Sequence, residues 1–155
     1  MADTVDRKTR SRMMSRIRGR DTRPELALRK SLFRMGFRYR IHVGALPGRP
    51  DLVLPKHHAV VFVHGCFWHR HRECKFATMP SSNVEFWQQK FARTIERDAR
   101  TVDELRRTGW RVTVAWECAL AKSDKAHVAK AIGTWLMSKK AFLEIPVSAG
   151  PCSRE

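Results

Sequence analysis

Cysteine and histidine spacing supplies the first chemistry in this 155-residue chain. Cys66, His71 and Cys74 lie close together as Cys-x4-His-x2-Cys, and Cys118 follows the apolar run that ends at Trp116. Three thiolates and an imidazole are the usual donors for tetrahedral zinc, and four protein ligands would close the site and make it structural. Spacing alone leaves the choice of imidazole open, because His64 and His69 stand nearby. The competing reading is a chance grouping of small core residues, but cysteines at both ends of a short histidine-containing loop are uncommon by accident. Cys152 is a spare thiol near the C-terminus.

Three acids stand where apolar side chains are expected. Asp51 opens a strand directly after Gly48-Arg49-Pro50, Asp98 interrupts an apolar helical stripe between Ile95 and Val102, and Glu25 shares an inward face with Leu28 and Leu32. A phosphodiester hydrolase needs such carboxylates to hold a divalent cation and to orient a base. Each acid also has a plainer reading: Glu25 as the acid of a capping box, Asp98 as the partner of an inward arginine, Asp51 as a turn cap. His64 and His69 are candidate general bases, against a purely structural role. Phe67-Trp68 sits inside the candidate zinc loop, where a metal would hold both rings rigid for wedging between base pairs. Core packing is the alternative for that pair, and for Trp87, on a helical stripe, it is the favoured one.

The elements that must carry these residues are readable from periodicity. Thr22-Arg-Pro-Glu25 fits a capping box opening a helix on Leu28, Leu32 and Met35 that stops at Gly36. Phe37–Val43 alternates like a half-buried strand, Asp51–Leu54 reads as a short strand, and the continuous apolar run Ala59–Val63 reads as a central strand buried on both faces. Residues 64–80 look irregular. Ser82-Asn-Val-Glu85 repeats the capping-box pattern before a long helix that ends at Gly109. Trp110–Trp116 alternates as a strand, and a final amphipathic helix spans about Asp124 to Met137. The segment from Leu143 shows no pattern. This order predicts a mixed central sheet flanked by helices, in the α/β class. A basic arm (1–20), a single domain (21–142) and a tail (143–155) are expected.

Charge narrows the function. Thirty-one basic residues against fifteen acidic give a net charge of +16, which calls for a polyanionic partner. Residues 1–50 hold 14 of the basic side chains and 4 of the acidic ones. The arm is too poor in apolar residues to form a stable isolated helix, so it is expected to order on its partner. No apolar run follows Met1–Arg10 and no stretch is long enough to span a bilayer, so neither a secretory signal nor a membrane span is expected. The reading is a cytoplasmic, thiol-containing, monomeric protein that binds nucleic acid.

The motifs GRPD at 48–51, FVHGCFWH at 62–69 with His71 and Cys74, ERD at 96–98 and WECAL at 116–120 resemble the very short patch repair endonucleases. The resemblance runs from TRS (9–11) and RDT (20–22) in the arm to about Leu120, and HGCFWH is its most specific string. It implies a restriction-endonuclease-like fold with a structural zinc site, in an enzyme of the bacterial nucleoid. The implied reaction is a Mg2+-dependent nick of one strand of duplex DNA, on the 5′ side of a thymine mispaired with guanine. Such T:G mismatches arise by deamination of 5-methylcytosine.

By matched position, Asp51 resembles the Mg2+ ligand, helped by the backbone carbonyl of Val63. His69 resembles the general base with Asp98 as its carboxylate partner, and Glu25 and His64 match further active-site positions. Cys66, His71, Cys74 and Cys118 match the structural zinc ligands. Phe67, Trp68 and Trp87 resemble an aromatic wedge beside the mismatch, which reverses the core reading of Trp87, and Met14 resembles a residue inserted from the other groove.

This chain departs from the family in two places: Val63 replaces a frequent threonine, and Arg72-Glu73 replaces histidine-rich spacers of other lengths. The acid-x-Lys pattern common in restriction nucleases is absent. Two further functions compete, a restriction-type nuclease without mismatch preference and a non-catalytic zinc-containing DNA-binding protein. The inward acids argue against the latter. Flanking sequence preference and contacts with general mismatch-repair proteins are left open.

Overall fold

A computed structural model describes residues 6–9, 12, 21–121 and 125–146. Met14, Cys152 and most of the basic arm lie outside the described residues. Helix α1 spans Arg23–Arg34. Thr22 caps it, accepting the Glu25 N–H through its hydroxyl, and Pro24 sits in the first turn, where no amide donor is needed. Its end is a Schellman turn: Gly36 takes φ +95°, its N–H reaches Phe33 O at 3.0 Å, and the Phe37 N–H reaches Leu32 O at 3.1 Å. The long helix α2, Val84–Arg107, ends the same way, with Gly109 at φ +89° and the Trp110 N–H on Leu105 O at 2.9 Å.

Four strands form one sheet in chain order: β1 (Leu52–Leu54), β2 (Ala59–His64), β3 (Arg111–Trp116) and β4 (Phe142–Ile145). β1 pairs antiparallel with β2 through a tight 3-10 turn, whereas β2–β3 and β3–β4 are parallel. Short helix α3, Glu117–Ala121, follows β3, and α4, Lys125–Leu136, leads to β4. Both faces of the sheet are covered. Leu28 and Leu32 of α1 and Val128, Ile132 and Trp135 of α4 pack on one face with Leu52, Leu54 and Val61. Val60, Phe62, Val112 and Val114 point the other way, toward Leu105 of α2 and the buried cysteines. Alternation along β2 thus feeds two cores, as a central strand requires. The expected mixed α/β architecture is the one observed.

Arg111, at the start of β3, ties the layers together. Its guanidinium donates to the carbonyls of Trp135, Leu136, Ser138 and Lys140 at 2.6–3.1 Å, satisfying acceptors that the end of α4 leaves open.

Three sequence expectations are corrected. Phe37–Val43 is not a strand: only Arg40 bridges to Val53, and the alternation instead packs Phe37 and Tyr39 against one core and Val43 against the other. The Ser82–Glu85 capping box gives way to Asn83 as the α2 N-cap, in a left-handed conformation with no side-chain cap bond. The segment from Leu143, without pattern in the sequence, supplies all but the first residue of β4, and Glu144 there accepts the Trp116 indole N–H at 2.8 Å. No helix among the described residues is long and apolar enough to cross a membrane.

Candidate active site and metal centre

The sheet brings the chemistry to one end. Asp51 immediately precedes β1 and His64 closes β2, so antiparallel pairing sets them at the same edge of the molecule. The Val63 N–H donates to Asp51 Oδ2 at 2.6 Å, fixing the carboxylate against the strand end. Glu25 arrives from the first turn of α1, buried, and its carboxyl stands within hydrogen-bond range of Asp51. Burial, then the neighbouring charge of Glu25, pushes the Asp51 carboxyl up to about 7, partly opposed by the Val63 hydrogen bond and by Arg29. Two desolvated carboxylates in contact form an oxygen-donor set suited to a hard divalent cation, which would relieve their repulsion.

His69 and Asp98 form the second pair, Nδ1 to Oδ2 at 2.6 Å, joining the loop after β2 to the middle of α2. Burial alone would raise the Asp98 carboxyl. The His69 hydrogen bond, with the charges of His69 and Arg97, reverses that and lowers it. The His64 ring stacks on His69 with centroids 4.0 Å apart. Burial holds the His64 imidazole down at about 3, so it is neutral at physiological pH.

Glu25, Asp51, Val63, His64, His69 and Asp98 all line one cleft of about 850 Å3. Arg29 and His42 line it as well, neither of them singled out by sequence reasoning. The signal for Arg29 was its i, i+4 spacing from Glu25.

Cys66 and Cys118 stand two residues beyond His64 and Trp116, which are register partners at the ends of parallel β2 and β3. His71 and Cys74 complete the group, with all four ligand atoms within 4.8 Å of one another and all four residues buried. His71 Nδ1 lies 3.7 Å from Cys66 Sγ and 3.4 Å from Cys118 Sγ. A tetrahedral zinc with ordinary bond lengths would set that S···N edge at about 3.5 Å. No disulfide joins the described cysteines, and this cluster can bind a metal. The spacing had left the imidazole open; only His71 of the three candidates lies in this group, stacked 4.3 Å from the Trp116 ring.

Phe67 meets Trp68 and Trp87 edge to face, with centroids 5.1 and 5.7 Å apart, and the two indoles lie tilted at 6.1 Å, over the buried Phe91. Trp87 is half-buried in this group and belongs to neither sheet core. Arg70 braces the loop from beneath, lying 4.0 Å over the Phe91 ring and donating to the carbonyls of Phe67, Ala77 and Thr78. Lys90 lies within 5.4 Å of the Trp68 and Trp87 rings. From there Arg93, Arg97 and Arg100 line a shallow groove along α2, and Arg97 also borders the cleft. A basic track beside exposed aromatic edges suits a nucleic-acid backbone.

A family model described as "DNA mismatch endonuclease Vsr" matches residues 2–75. The DNA mismatch endonuclease Vsr of Escherichia coli K12 is 43% identical over 125 residues, covering 81% of this chain and 80% of the relative. The type II nicking enzyme V.XorIIP of Xanthomonas oryzae pv. oryzae is 41% identical over 121 residues, covering 78% and 88%. The type II nicking enzyme V.NmeAIP of Neisseria meningitidis is 43% identical over 120 residues, covering 77% and 85%.

Proposed function

The chain belongs to the family of the DNA mismatch endonuclease Vsr, and on that premise we propose that it nicks one strand of duplex DNA on the 5′ side of a thymine mispaired with guanine. DNA mismatch cleavage follows from the family. The finer reading rests chiefly on one observation: the Asp51–Glu25 and His69–Asp98 pairs line the same cleft, and Phe67-Trp68 of the aromatic group directly precede His69 in the chain.

In this reading Asp51, Glu25 and the Val63 carbonyl would hold Mg2+, placing there a positive charge that would offset the charge developing on the phosphate and on the leaving 3′ oxygen. Asp98 keeps the His69 proton on Nδ1, leaving Nε2 as the base that takes a proton from the attacking water. His64, neutral and stacked on His69, sets the plane of that ring. The Cys66–His71–Cys74–Cys118 cluster would hold zinc, which would stiffen the loop carrying Phe67 and Trp68. Together with Trp87, these rings enter the stack where pairing is weakest, and the basic arm, Met14 included, grips the duplex from the other side.

Matched and T:G duplexes in several sequence contexts, incubated side by side with Mg2+, test the reading. Nicking confined to the T:G duplex supports it. Equal cleavage of both would leave a restriction-type nuclease, and cleavage of neither a DNA-binding protein.

A further inference from the structure

Arg29 is buried in α1 although it is an arginine among acids. Its Nη2 donates to Glu25 Oε2 at 3.0 Å and its Nη1 reaches Asp21 Oδ1 at 2.8 Å. The Asp21 N–H donates to the same Glu25 Oε2 at 2.9 Å. Glu25 is therefore gripped twice, by Arg29 and by the backbone of the residue that also anchors Arg29. One outer brace keeps this arrangement in place, the Tyr39 hydroxyl donating to the Arg29 carbonyl at 2.9 Å, and His42 Nε2 faces Asp21 Oδ1 at 3.4 Å. The exposed i, i+4 pair Glu96–Arg100 on α2 has no such surroundings, and pairs of that kind contribute little. A planar guanidinium fixed at two nitrogens is a far stiffer holder than a lysine ammonium.

We propose that Arg29, anchored by Asp21, is a positioning residue that holds the Glu25 carboxylate in the orientation in which Glu25 and Asp51 share a divalent cation. The proposal rests on the metal-dependent nicking reading above and adds to it a residue that acts chiefly through Glu25, its charge also bearing on Asp51. Asp21 lies at the junction between the basic arm and α1, so the grip also ties the arm's exit point to the carboxylate pair.

A double-mutant cycle with Arg29→Met and Glu25→Gln tests it, read by single-turnover nicking of a T:G duplex and by Mn2+ binding to the DNA-free protein in electron paramagnetic resonance titrations. Arg29→Met is expected to slow nicking at least tenfold at saturating DNA and to change the Mn2+ dissociation constant at least threefold. Both changes should shrink severalfold in the Glu25→Gln background, because Arg29 then has no carboxylate left to position and only its charge near Asp51 remains. Arg29→Lys should recover only part of the rate. Asp21→Asn, which keeps Arg29 but loosens its anchor, should give a smaller loss in the same direction and stands in if Arg29→Met does not fold. Effects of Arg29→Met or Asp21→Asn that persist unchanged beside Glu25→Gln, or no effect of either variant, overturn the proposal. A wild-type protein that binds Mn2+ but does not nick T:G duplexes fails the functional reading instead.

Discussion

His69 and Asp98, 29 residues apart in the chain, meet at 2.6 Å, Nδ1 to Oδ2, on the wall of the cleft that also holds Asp51. A carboxylate at Nδ1 fixes both the tautomer and the plane of the ring. Asp98→Asn is therefore expected to slow nicking by about 10²-fold or more, while leaving duplex affinity within about twofold. Single-turnover rates alongside binding isotherms in Ca2+ separate the two effects. An unimpaired rate would remove Asp98 from the account.

Asp51 gives the account a pH signature. Its folded carboxyl sits at about 7, above the ordinary value of 3.8. A raised carboxyl destabilises the fold once the unfolded chain ionises, so the penalty is absent below about pH 4. It grows as pH rises to about 7 and is constant above, at roughly 4 kcal/mol. Asp51→Asn should therefore melt several degrees higher than the wild type at pH 8 without metal, and at the same temperature near pH 4. Thermal melts in EDTA check this, and an equal difference at both pH values contradicts it. The same substitution should abolish nicking.

Removal of zinc should loosen the aromatic loop. A closed Cys3His site contributes folding free energy directly, and its ligands reach from the loop after β2 to Cys118 beyond β3. One zinc per chain is expected by elemental analysis, with loss of the ion and a fall in melting temperature of about 10 °C or more in Cys118→Ser. Full stability in a protein verified to be free of zinc would refute the structural role.

Trp68 and Trp87 bear on discrimination more than on affinity. Their rings lie 6.1 Å apart, each beside Lys90, which lines the basic groove. Either alanine variant should reduce the preference for T:G over matched duplex at least tenfold, because stacking contributes about 1–3 kcal/mol per base. The salt dependence of binding, set by the Lys and Arg contacts, should be unchanged. Competition assays at two salt concentrations distinguish these effects.

What the sequence disclosed depended on whether a signal was local. The Thr22 cap, the stops at Gly36 and Gly109, and the apolar run of β2 are short-range patterns, and each marks an observed feature. Phe37–Val43 misled because alternation reports burial on one side, which a packed loop achieves as well as a strand. β4 was invisible because Phe142–Ile145 shows no clean alternation in burial and owes its conformation to pairing with β3. In the site, HGCFWH carried most of the readable information. The grip of Asp21 and Arg29 on Glu25 was hidden, since it depends on how the chain enters α1.

The central claim, a metal-dependent strand nick directed by the mismatch, is tested most directly by mapping cleavage on a duplex labelled separately on each strand. The wild-type protein with Mg2+ should give one product, cut immediately 5′ of the mispaired thymine, with no cut in the guanine strand. Asp51→Ala should bind that duplex with unchanged affinity and give no product. Cleavage of both strands, cleavage of the matched duplex at the same rate, or nicking by the Asp51→Ala protein would contradict the account.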